Sequence, residues 1–455
     1  MHLPHDRRDF LKRATRFGAA ALASTALPSF GFSREDGPAP KDGQRLKVAA
    51  VLTEFSYRSH AHVILENFLK PYLFNGELIE PNFDVASFYV DQFPAGEMSR
   101  DVSRDYKIPI YPTIAEALCL GGKEMAVDAV LSIGEHGKYP VNAKGQMEYP
   151  RKRFFDEIAA VIRRDNRPVP VFNDKHLSFR WDWAKEMYDT AQELRIPFMA
   201  GSSVPLAQRR PPMELPAGAQ IEDAISIHGG GVESYDFHAL EVLQSMVEAR
   251  RGGEVGVSQV QFLDGETLWK AADEGQWSIP LATAAMAAEL GADHDLTRSL
   301  ALRGKTPAGE PVAIHGIRVV YRDGFAATAL AVGSSATRWN FACKIKGEDQ
   351  PRATALYVGP WQNRNLFKAL SHAIQAHFRA RRAPYPVERT LLVSGILDFA
   401  MDSRQQANKV IDTPALNVAY KPIDFRAMRE YGASWKTITE DMPEPKGLGV
   451  DSKPS

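Results

Sequence analysis

From Leu46 onward, short apolar runs alternate with stretches of helical periodicity, and that alternation restricts the chain to an α/β architecture. "LKVAAVL", "FDVASFYVD", "VDAVLSIG", "PVPVF" and "IPFMAGS" read as buried strands. Between them, "HVILENFLKPYLF" (residues 62–74), "TIAEALCLGG", "RKRFFDEIAAVIRR" and "WDWAKEMYDTAQELR" read as helices. Strands that are apolar on both faces belong in a parallel sheet covered on both sides. The pattern predicts a Rossmann-like N-terminal domain over residues 46–203.

Near Val204 the character changes. A Pro-rich crossing, "PPMELPAG", leads into a strand, "IEDAISIHGGG", and a long helix, "SYDFHALEVLQSMVEARR". Strand-rich sequence follows, and the Asp323-Gly324 pair between two apolar runs marks a hairpin. Two helices close the region. Residues 204–435 are therefore expected to form an α+β domain on a large, mostly antiparallel sheet. Residues 436–455, rich in Pro, Gly and Lys, are expected to be a loose tail.

The termini and the charge narrow the class. "HDRRDFLKRATRFGAAALASTALPSF" carries Arg7-Arg8 before a mildly apolar, Ala-rich run. It resembles a twin-arginine export signal (residues 1–33), followed by a polar linker (34–45). The expected location is the periplasm or another extracytoplasmic space, reached through the twin-arginine translocation machinery. No run reaches the length of a stable membrane span. With 55 basic and 56 acidic residues, the chain offers no polyanion surface, so no nucleic-acid partner is expected. Cys119 and Cys343 have neither metal spacing nor a disulfide framework.

Strand-end loops of an open α/β sheet converge on one crevice, so the polar residues there are the candidates for chemistry. "VPVFNDKHLSFRWDW" places Asp174, Lys175 and His176 where a strand hands over to a helix. A desolvated lysine acts as an acid or holds a developing negative oxygen. His238 follows a glycine cluster at a helix entry, and an imidazole there accepts a hydroxyl proton. His60, His62, His136 and His176 fall in or beside the same loops, with Glu54, Glu135 and Asp174. Histidines and carboxylates together suit Zn, Mn or Fe, with His60, His62 and His136 as ligands. The alternatives are a polar substrate pocket without a metal, and histidines scattered in structural roles.

In their order along the chain, "IPIYPTIAEAL…VDAVLSIGEHGKYP", "VPVFNDKHLS", "GGGVESYDFHALEVL" and "PYPVERTLLVSGILDFAMDSRQQ" resemble the Gfo/Idh/MocA oxidoreductases over about Leu46 to Tyr420. Lys175 matches the lysine of that family's Glu-Lys-Pro motif, and Asp174 and His176 replace its neighbours. His238 matches the histidine; Ser234 stands at the aspartate position, and Asp236 lies two further on. The resemblance implies hydride transfer between a pyranose or polyol and NAD or NADP. It implies Lys175, His238, Asp174 and Asp236 as catalytic residues. Asp91, Glu135 and His136 would contact the cofactor, and His176, Tyr139, Trp181 and Ser234 the sugar. It also implies a possible homo-oligomer. One departure stands out. The first strand runs into "VLTEFSYRSHAHV", which has no glycine where the family has its Gly-x-Gly-x-x-Gly turn. Two alternatives follow: a nicotinamide-independent, metal-assisted lyase, hydratase or epimerase on an oxidised sugar, and a non-catalytic carbohydrate-binding protein.

Overall fold

Leu46–Leu52, with all but one residue buried, is the central strand of a six-stranded parallel sheet. The computed structural model describes Gly43 and residues 45–333 and 339–448. The expected export signal and nearly all of the linker lie outside the described residues. On one side of the central strand come Phe83–Val90 and then Ile110–Tyr111. On the other come Ala129–Ile133, Val171–Asp174 and Phe198–Gly201. The strand order therefore reverses beside the central strand. A crevice opens at the carboxyl ends of the strands at such a reversal. The helices His60–Leu69, Ile114–Cys119, Arg151–Asp165 and Trp181–Glu193 connect these strands.

The helix expected over residues 62–74 begins earlier and stops at Leu69. Pro71 forces Lys70 into extended backbone, and Tyr72–Phe74 pairs with Glu77–Ile79 across an Asn75-Gly76 turn. The second sheet has eight strands. One pairing, Ile221–His228 with Ala326–Val332, is parallel, and the other six are antiparallel. Its strands alternate faces. Ile225, Ile227, Ile314 and Leu330 pack under the helices Gly265–Asp273, Ile279–Leu290 and Asp295–Ala301. Ala224, Ile317 and Ala329 join the core shared with the first sheet. By the same period of two, His228 and His315 point toward the first sheet.

The last long helices tie the two sheets together. Asn363–Ala380 packs on the helix His60–Leu69. Val387–Gln405 touches the helices Trp181–Glu193 and Asp236–Val247 and the strand Val257–Asp264. The chain beyond residue 435, expected to be loose, is fastened as far as it is described. Ile438 is buried, Trp361 Nε1 donates to the Met442 carbonyl at 2.9 Å, and Tyr57 and Arg58 bond Glu444. Past the 3-10 turn Ala433–Lys436 its Pro and Gly leave the described chain without helix or strand, but the Pro445 and Gly447 carbonyls find arginine and histidine donors.

Candidate active site

Lys175 follows directly on the strand Val171–Asp174 in a left-handed conformation (φ 64°), as do His136 (φ 72°) and Glu233 (φ 70°) nearby. Side chains other than glycine rarely adopt this conformation, and it gathers where a structure holds groups for chemistry. The Lys175 ammonium is buried and lies 2.8 Å from Glu135 Oε1. It also reaches the main-chain carbonyl of Ser234 at 3.5 Å, so Ser234 contributes its backbone. Arg151 bonds the other oxygen of Glu135 and donates to the Asp174 carbonyl at 3.2 Å. Burial pushes the Glu135 carboxyl up, but the charges of Lys175 and Arg151 outweigh it and hold the group well below the usual range. Glu135, read as a cofactor contact, is thus the counter-ion of Lys175.

Histidines surround this pair. His60 Nδ1 lies 2.6 Å from Asp174 Oδ2, so the Asp174 carboxylate orients an imidazole. The His136 ring meets His60 edge-on at 5.0 Å, and its Nε2 is buried with no hydrogen-bond partner. Burial and the neighbouring His60 push His136 down to about 4. His176 is buried against Phe237, with Arg151 Nη1 3.3 Å from its Nε2 and Glu233 3.5 Å away. Burial and then Arg151 lower it, so it serves as a neutral hydrogen-bonding wall.

The second domain brings in His238. Its Nδ1 lies 2.6 Å from Ser202 Oγ, which also accepts the Val204 N–H. Burial, followed by the charge of Lys175, holds His238 well below the ordinary histidine value. Beside it, Tyr235, Trp339 and His228 stack as a ladder, with centroids 5.4 and 5.9 Å apart, and Trp339 meets the His238 ring edge-on at 5.1 Å. Asp236, expected as a catalytic residue, is a hub between His228 and His315, each with Nε2 2.9 Å from Oδ1. Its position at the start of a helix turns it back toward the second sheet, and its Oδ2 caps the Glu233 N–H at 2.8 Å. Trp181, expected on the sugar, packs its ring against Gly395, and its backbone N–H donates to Asp398. A Trp at the start of an amphipathic helix goes to helix packing.

At the other end of the crevice, Asp91 accepts from Tyr89, Tyr139 and Arg153 at 2.7, 2.7 and 2.5 Å. Tyr139 is therefore committed to Asp91, and a ribose at Asp91 would replace it. The turn after the first strand is filled by side chains. His62 Nδ1 accepts the Arg58 N–H at 2.8 Å and Nε2 donates to the Gly447 carbonyl at 3.0 Å. With both nitrogens committed, His62 is no metal ligand, which corrects the His60–His62–His136 reading. Among the described residues, the one group spaced for a metal is His228, Asp236 and His315. There, the Gly230 N–H donates to His228 Nδ1, which leaves the proton on Nε2 and directs it to Asp236. The group is a hydrogen-bonded carboxylate in this arrangement.

Arg151, Ser202, His228, Glu233, His315 and Trp339 are further polar and aromatic groups of this site that carry no motif in the sequence. Only His228 had a visible signal, its place at a strand end before three glycines.

A dinucleotide on this fold rests its diphosphate on the turn after the first strand. In that turn the Glu444 carboxylate already lies between Tyr57, Arg58 and Arg364. This stand-in shows that the donor set suits an anion, bound by side chains in place of glycine amides.

No family model and no curated protein matches the sequence. Solved structures match the fold. GenD2 from gentamicin A biosynthesis, in complex with NAD, has a TM-score of 0.51 at 13% identity, over 81% of this chain and 96% of that one. A probable dehydrogenase from Thermotoga maritima has 0.50 at 10%, over 82% and 100%. An oxidoreductase from Agrobacterium radiobacter, in complex with NAD+, L-tartaric acid and magnesium, has 0.50 at 11%, over 82% and 99%. The fold they share with this chain is a parallel Rossmann-like sheet followed by a large, mostly antiparallel one.

Proposed function

We propose that this chain is a sugar- or polyol-directed oxidoreductase in which Lys175 and His238 handle the hydroxyl proton. The observation that carries the reading is that Lys175, at the end of a strand of the first sheet and bonded to Glu135 and the Ser234 carbonyl, and His238, on the helix Asp236–Val247, are both buried, with the Lys175 charge acting on His238. His238 Nδ1 shares a 2.6 Å hydrogen bond with Ser202 Oγ; in the tautomer that carries the proton on Nδ1, Nε2 has a lone pair for the proton of a substrate hydroxyl. Lys175, fixed by Glu135, steadies the oxygen that loses it. The half-exposed Tyr235 ring, stacked on Trp339, offers an apolar face to a sugar. NAD or NADP supplies the hydride acceptor when bound. Tyr57, Arg58 and Arg364 would hold its diphosphate, Asp91 a ribose, and Glu135 and His136 line the reacting end. The Arg7-Arg8 motif supports action after export by the twin-arginine route.

A second reading keeps the fold and drops the nicotinamide, giving proton transfer on an oxidised sugar. The His60–Asp174 dyad favours it, because it adds an oriented imidazole beside Lys175. Denaturing the purified, mature protein and assaying the supernatant for nucleotide separates the two. Released NAD(P), or NAD+-dependent oxidation of a polyol, supports the first. Neither one, with sugar-acid turnover lost in His60→Gln, supports the second.

A further inference from the structure

Arg58, in the turn after the first strand, and Arg364, from the helix Asn363–Ala380, both face Glu444. Arg364 is buried and is met by Glu66, with Nε 3.0 Å from both carboxylate oxygens and Nη2 2.7 Å from Oε2. That pair is complete in itself. Arg58 is different: its side chain is 41% exposed, and the carboxylate it meets is Glu444, from the far end of the chain. Arg58 Nε and the Tyr57 hydroxyl both donate to Glu444 Oε1 at 3.0 Å, and Arg364 Nη1 lies 3.5 Å from it. The next carbonyls follow the same line. Pro445 O accepts from Arg364 and from Tyr57, and Gly447 O accepts from Arg364 Nη2 at 2.7 Å and from His62. A carboxylate and two carbonyls thus lie in file across the place where the fold rests a diphosphate. The strap is anchored upstream by Trp361 on the Met442 carbonyl and by buried Ile438. After Met442 the described chain forms no helix or strand, and Leu448 packs against the core.

We infer that Tyr57, Arg58 and Arg364 form an anion site for a phosphate or diphosphate group, and that Glu444 of the chain's own C-terminal segment holds it closed. The inference rests on the oxidoreductase reading for the identity of the diphosphate, but not for the existence of the site. Removing Glu444 leaves Arg58 as the uncompensated charge of the cluster, so the opened site gains affinity for anions. Burial pushes the Glu444 carboxyl up, yet the bonds from Arg58 and Tyr57 outweigh it and lower it. The latch therefore stays ionised at neutral pH.

The test is calorimetric titration of inorganic pyrophosphate, and separately of NAD+, into three forms. These are the full chain, its Glu444→Gln variant, and a chain ending at Met442 whose folding is checked by thermal melting. We expect Glu444→Gln and the shortened chain to bind pyrophosphate at least about tenfold more tightly than the parent. Arg58→Ala in the shortened chain should abolish the gain. Unchanged pyrophosphate affinity in both altered forms, or a gain that survives Arg58→Ala, overturns the proposal. A gain for pyrophosphate without one for NAD+ keeps the gated anion site and removes the dinucleotide reading. A gain for both supports the two together.

Discussion

Lys175 is where charge, burial and backbone strain coincide. Its ammonium has a carboxylate at 2.8 Å and a carbonyl at 3.5 Å, and its own backbone is left-handed. Methionine keeps the length and removes the charge. Lys175→Met should lower kcat by about 100-fold or more with a much smaller change in KM, because a proton-handling group acts mainly in the transition state. Equal turnover in parent and variant would remove Lys175 from the chemistry. Glu241 makes a different prediction. Burial pushes its carboxyl up to about 7 from 4.5, against the lowering effect of Arg389. A carboxyl raised in the folded state gives stability that is whole below 4.5 and is lost as pH rises through about 7. Glu241→Gln lacks that loss. Denaturant melts should show the variant gaining on the parent between those two pH values, by on the order of 3 kcal/mol. Parallel stability curves would refute the raised carboxyl.

At the scale of elements, the strands were legible because burial on both faces leaves an unbroken apolar run. The Asp323-Gly324 hairpin was legible from its turn chemistry. Pro71 hid a hairpin inside an apparently helical stretch, since Tyr72–Phe74 is as apolar as the helix before it. Of the candidate site, the order of motifs along the chain singles out Lys175 and His238. It does not single out Arg151 and Ser202, because an arginine opening a helix and a serine ending a strand look like any others. The packing of Trp181 is hidden for a related reason: only the structure shows Gly395 facing it. A Cβ added at Gly395 would lie 2.3 Å from Leu416 Cδ2 and 2.7 Å from Trp181 Cε3. Alanine there gains about 1 kcal/mol of helix propensity. The overpacking costs about 1–3 kcal/mol, so Gly395→Ala should be destabilising on balance. A melting temperature above the parent's would mean that the helices can spread at no cost.

The whole molecule depends on the helix Val387–Gln405, which lies between the sheets and so decides whether they unfold as one. Its Arg389 is buried and pairs with Glu248 at the end of the helix Asp236–Val247, Nε to Oε2 at 2.9 Å. Tyr420 donates to the same carboxylate at 2.8 Å, and the guanidinium lies over the rings of Phe425 and Tyr385 at 4.6 and 4.9 Å. Such a pair offsets its own desolvation only while both partners are present. Arg389→Met should therefore cost about 3–5 kcal/mol, because Glu248 stays buried with its charge uncompensated. Adding Glu248→Met should recover most of that loss, since two apolar side chains of similar volume need no counter-charge. If the pair is also what couples the sheets, the parent unfolds in one transition and Arg389→Met in two, by calorimetry and intrinsic fluorescence together. A single transition in Arg389→Met would place the coupling in the apolar packing of the helix, and a double variant as unstable as the single would mean that Glu248 was never the burden.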